Sequence, residues 1–116
     1  PLREFLHVDD LADACVFLAE TYEGEEFVNI GSDDEISIGD LARLVADVAG
    51  FDGEILFDRS RPDGAPRKKL DTSKLTALGW RPRIALRDGV QQLHDHWLTR
   101  RDDETPQRRI VTPTEA

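Results

Sequence analysis

The 116-residue sequence holds no methionine and a single cysteine, Cys15, and each scarcity excludes something. A lone thiol rules out an internal disulfide framework and offers no metal-ligand spacing, so a reducing, cytoplasmic compartment is expected. On its helix Cys15 reads as a small core residue. No apolar run approaches the roughly 20 residues of a bilayer span, and no charged-then-apolar leader opens the chain, so neither membrane nor targeting segment is expected. Because the chain begins Pro1-Leu2-Arg3 and has no methionine anywhere, it is expected to be a piece of something longer. Catalytic signatures are as scarce. There is neither a GxGxxG dinucleotide fingerprint nor a GxxxxGK[ST] phosphate loop. The sole tyrosine, Tyr22 in TYEGEE, has no lysine four residues on, so no tyrosine-lysine acid/base pair is written here.

What is present is acidic. A formal net charge of -9 argues against a nucleic-acid binder, which needs cations to displace the counterions condensed on phosphates. At 39% hydrophobic content the chain suffices for roughly one small domain with a modest core. REFLHV reads as a strand, Asp9 or Asp10 as the N-cap of a helix, and Leu11, Ala14, Cys15, Leu18 and Ala19 as its apolar face. FVNIG, 27–31, and EILFD, 54–58, read as two further strands. Between them SIGDLARLVADVAG is a helix capped by Ser37 and stopped by a left-handed Gly50. A two-turn helix closes at Gly79, and a last one runs from about Leu86 to Arg100 with Leu86, Val90, Leu93 and Trp97 inward. Residues 1–100 form the structured portion, and 101–116, charged and proline-broken, read as a disordered tail. Alternating strands and helices favour an α/β fold, but three strands that look buried on both faces need more cover than is written.

Five of fifteen cations, Arg59, Arg61, Arg67, Lys68 and Lys69, crowd around the turn residues Pro62, Gly64 and Pro66. Prolines and glycine keep this segment out of regular structure, and such loops carry sites. Two readings stand. The cations suit paired phosphate oxygens, with Asp63 accepting from a hydroxyl or amide; or they form a solvated surface balanced by Asp52, Glu54, Asp58 and Asp71. Arg3 shares the ambiguity, as a strand-edge cation or a second hand on the same ligand. His94 and His96, two apart on a helix, face different ways and make a poor metal pair. His7 is expected to be packed or hydrogen bonded at a strand end, and Asp9 and Asp10 to be caps.

Three strings, REFLHVDDLADA, VNIGSDDEISIGDLARLVADVAGFDGEILFD and RPDGAPRKKLDTSKLTALGWRPRIALRDGV, resemble in order and spacing the C-terminal third of the GDP-L-fucose synthase family. That family lies within the extended short-chain dehydrogenase/reductases, and PDGAPRK followed by LDTSKLTALGW is the most specific part. The resemblance implies an α/β substrate-binding portion whose Rossmann domain is mostly missing from this chain. It implies NADP(H), bound by that missing domain, and a GDP-sugar substrate. The family's reaction epimerises two ring carbons of GDP-4-keto-6-deoxy-D-mannose and then reduces its 4-keto group to give GDP-L-fucose. Its serine-tyrosine-lysine set lies upstream, so no catalytic residue carries over. Arg3, Asp63 and Lys68 match substrate-binding positions, Lys68 toward the diphosphate and Asp63 toward the nucleoside. The family is usually homodimeric. Two departures appear: Ala85 stands where a Ser or Thr cap is common, and Lys69 where an apolar residue is common. The alternatives are another nucleotide-sugar epimerase or dehydratase of the superfamily, or a noncatalytic nucleotide-binding module.

Overall fold

The computed structural model describes residues 1–101. Its elements are, in order, β1 (Leu2–Glu4), α1 (Val8–Thr21), β2 (Glu35–Ser37), α2 (Ile38–Ala49), β3 (Arg67–Lys68), α3 (Ser73–Leu78) and α4 (Leu86–Arg101). The mixed α/β class is as expected. The expected disordered tail lies outside the described residues, apart from Arg101, the last residue of α4.

The strands are not the expected ones. β1 is central in the order β2-β1-β3, antiparallel to β2 with Arg3 opposite Ile36, and parallel to β3 with Arg3 opposite Lys68. Both edges of β1 are therefore taken by short segments, Glu35–Ser37 and Arg67–Lys68. FVNIG and EILFD stand outside any strand ladder among the described residues. A strand needs a hydrogen-bonding neighbour, and apolar patterning alone does not supply one. Val28 and Ile30 still pack inward against the core, while Phe27 is 82% exposed and Leu56 79%. The expectation that no regular structure forms in the cationic loop is likewise corrected: Pro66 accepts the Leu2 N–H at 2.9 Å, and Arg67 and Lys68 follow as β3.

Helix ends follow local chemistry more closely. Ser37 Oγ accepts the Asp40 N–H at 3.0 Å and opens α2, and Gly50, at φ 70, closes it where a side chain would be strained. Gly79, at φ 103, closes α3 in the same way. The N-cap of α1, however, is His7, whose Nδ1 accepts the Asp9 N–H at 3.0 Å. Neither Asp9 nor Asp10 caps it. Asp10 is buried and reaches across to accept the Arg83 and Ile84 N–H groups, at 3.2 and 3.0 Å, on the approach to α4.

The core is small and lies between α1 and α3. Ala14, Leu75 and Trp80 are buried, with Leu6, Phe17, Leu18, Val28 and Ile30 packed around them. Trp80 meets its indole requirement by donating from Nε1 to Asp13 at 2.9 Å. Cys15, expected inside, is exposed, because the inward stripe of α1 runs through Ala14 and Leu18 and leaves its neighbour outside. On α4, Leu86 and Val90 are half-buried, but Leu93 and Trp97 are exposed, so the expected inward face ends after its first two turns. α4 packs on α2, and Arg87 pairs with Asp47 across that contact.

Candidate functional site

Arg3 sits on the central strand, and its guanidinium turns into the loop that follows Arg61. Nη1 donates to the carbonyl oxygens of Leu2, at 2.7 Å, and Ala65, at 2.9 Å. A Cβ on Gly64 would lie 3.2 Å from Nη2, so the glycine lets the loop close against the guanidinium. Asp63 is thereby held one residue from that contact. The parallel register sets Arg3 opposite Lys68, and side chains alternate along a strand, so these two share one face of the sheet. Arg67 and Lys69 belong to the other.

That alternation sorts the cations. Arg67 Nε donates to Glu35 at 2.6 Å, and Lys69 pairs with Asp33 at 2.8 Å. The Arg67 hydrogen bond holds the Glu35 carboxyl below its ordinary range, and the same bond raises Arg67. Asp33 likewise raises Lys69. The balancing acids expected from sequence are therefore replaced: Asp58 accepts from Ser60, and Asp71 accepts from the Ser73 N–H. Among the described residues the side chains of Arg59, Arg61, Asp63 and Lys68 enter no hydrogen bond or ion pair. Sequence reading missed Asp33 and Glu35. No local signal marks them: Asp33 lies outside β2 at φ 59, and both acids meet their cations only across the sheet.

A concavity of about 900 Å³ opens on the neutralised side and is lined by Asp33, Arg67, Lys69, Asp71, Thr72 and Ser73. Arg3, Asp63 and Lys68 do not line it. The cations of that cleft, Arg67 and Lys69, already hold carboxylates. The remaining candidates are structural. His7 is a cap, and His94 stacks on Trp97 with centroids 6.2 Å apart. Among the described residues no group of three or more His, Cys, Asp or Glu is placed to hold a metal ion. Nor is any helix among them long and apolar enough to cross a membrane. Tyr22 has a lysine after all, but from α3: Lys74 Nζ lies 5.2 Å from the ring centroid while the phenol donates to the Glu26 carbonyl. That contact ties α1 to α3.

No family model matches the chain. GDP-L-fucose synthase 1 of Arabidopsis thaliana is 59% identical over 98 residues, 84% of this chain and 30% of that protein. GDP-L-fucose synthase of Sinorhizobium fredii is 46% identical over 99 residues, 85% of this chain and 32% of that one. Over these residues the chain is similar to the GDP-L-fucose synthases. It spans about a third of the length of these curated relatives. A crystal structure of a GDP-6-OMe-4-keto-L-xylo-heptose reductase from C. jejuni superposes with a TM-score of 0.79 at 33% identity, covering 85% of this chain and 31% of that one. The fold is thus that of a portion of an extended short-chain dehydrogenase/reductase. The N-terminus of α1 carries Asp9 and Asp10 and is capped by His7, and that of α2 is capped by Ser37, so neither presents a glycine-rich turn with free amides to a dinucleotide's diphosphate.

Proposed function

We propose that residues 1–100 are the nucleotide-sugar-binding portion of an NADP(H)-dependent GDP-L-fucose synthase. The whole protein would carry out 3,5-epimerisation and 4-reduction of GDP-4-keto-6-deoxy-D-mannose, with NADP(H) and the catalytic side chains supplied by a preceding domain. The observation that carries this reading is the placing of Arg3 and Lys68 opposite each other on one sheet face, beside the segment from Asp63 to Ala65. An arginine fixed by two carbonyls and a lysine without a carboxylate partner make a local cationic face on an acidic chain. A diphosphate is drawn to it. Asp63 would accept from the nucleoside. A homodimer, a cytoplasmic compartment and the absence of nucleic-acid partners belong to the same reading, the last because the net charge is -9.

The test is Lys68→Glu in the full-length protein. Reversing the charge beside a diphosphate should raise the GDP-sugar dissociation constant by about 100-fold, which corresponds to about 2.7 kcal/mol, with NADPH affinity unchanged. Superimposable GDP-sugar titrations for variant and parent would remove Lys68 from the site.

A further inference from the structure

Three cations in a row, Arg67, Lys68 and Lys69, are chemically similar partners for a diphosphate, and something must choose among them. β3 has only two residues, so backbone pairing alone gives it little to resist a rotation about its own axis. A flip would put Lys68 on the carboxylate side and bring Arg67 and Lys69 round to Arg3. Two acids oppose it. Glu35 lies across the central strand from Arg67, with its side chain only 14% exposed, so their 2.6 Å contact straddles β1 and clasps all three strands. Asp33 holds Lys69 on the same side, and its own N–H donates to Glu4 at 2.9 Å, anchoring the acidic segment to β1. A charge-assisted bond from a sheltered carboxylate is stronger than an ordinary surface pair.

We propose that Glu35 is a positioning residue for the nucleotide-sugar site: by holding Arg67 on the far face of the sheet, it presents Lys68 beside Arg3. The inference rests on the site reading above. Glu35 itself touches no ligand. It acts through the orientation of β3, and Asp33 assists it through Lys69. Loss of the Glu35 charge frees Arg67 and allows the wrong cation to face the diphosphate.

The experiment compares GDP binding by calorimetry, and KM for the GDP-sugar, in the full-length protein as parent, Glu35→Gln, Lys68→Glu, and the swap Glu35→Arg with Arg67→Glu. NADPH affinity reports an intact fold. Glu35→Gln should weaken GDP about tenfold and raise KM alike with kcat held, and the swap should return binding to within about threefold of the parent. Unchanged GDP affinity in Glu35→Gln, with Lys68→Glu still impaired, overturns the positioning role and leaves the site reading standing. A swap that stays as weak as Glu35→Gln overturns it too, since the effect would not then pass through Arg67. If Lys68→Glu binds GDP like the parent, the site reading falls and this inference with it. Should Glu35→Gln not fold, Glu35→Asp, one methylene short, replaces it under the same criteria.

Discussion

Around Trp80 the chain buries what it brings together, whereas around Pro66 it leaves everything in water. Ala14, Leu75 and Trp80 are nearly inaccessible, and the two acids beside them are each given a donor, Asp13 the indole and Asp10 two amides. From Arg59 to Lys69 every residue is exposed, and order comes from a two-residue strand, an arginine clasping a carbonyl, and two ion pairs. Burial yields free energy in proportion to area, while exposed charges yield little stability and much direction. One region holds the fold. The other adds little to stability, and in the proposed function its cations serve a ligand.

Stability measurements can break that contrast. Trp80→Ala removes the largest core side chain and its indole bond, and should cost about 3–5 kcal/mol in urea denaturation. A loss no greater than that of a loop substitution would mean that the core lies elsewhere. Asp10→Ala strands the Arg83 and Ile84 amides in a buried place and should cost about 2–3 kcal/mol. Were Asp10 only a cap of α1, as its sequence context suggests, the cost would be nearer 1 kcal/mol. Ala85 accepts the Gly89 N–H through its carbonyl yet has no side-chain oxygen to cap α4, and Asp10 serves earlier residues. Ala85→Ser should therefore raise the thermal midpoint, by a gain of about 1 kcal/mol.

The smallest effect separates the loop from the core by acid. Arg67 holds Glu35 below the ordinary glutamate value of about 4.3, so their contribution is present at neutral pH. It persists down to the unfolded carboxylate range, and is lost as pH falls through the lower folded value. The stability difference between parent and Glu35→Gln should be constant above about pH 5 and shrink below about 4.3. A difference that does not change with acid would show that the pair contributes nothing to the fold. Salt should shrink it as well, since Arg67 is exposed.

Where structure depends on near neighbours in the chain, it could be read in advance. Ser37, Gly50 and Gly79 act within three or four residues of themselves, and the helices they bound came out as expected. His7 was legible as packed or hydrogen bonded but not as a cap, because nothing local distinguishes a capping imidazole from the aspartates that follow it. The strands were misread for a physical reason. Periodicity reports which side of a segment is apolar, but a ladder also needs a partner, and β1 took Glu35–Ser37 and Arg67–Lys68 instead of FVNIG or EILFD. Arg3, Asp63 and Lys68 were nameable from their resemblance to a family. Their neighbourhood was not.

By itself, then, the sequence determined the ends of α2 and α3, the acidic character and the family resemblance, all of which depend on composition or short-range order. Only the tertiary structure decided which cation goes where. Arg67, Lys68 and Lys69 are consecutive and similar, and no local rule tells them apart. Pairing of β3 against β1 assigns them to opposite faces, and carboxylates brought from 32 or more residues away neutralise two of the three. Distant charges meet only when the sheet forms, and that is why the assignment required the fold.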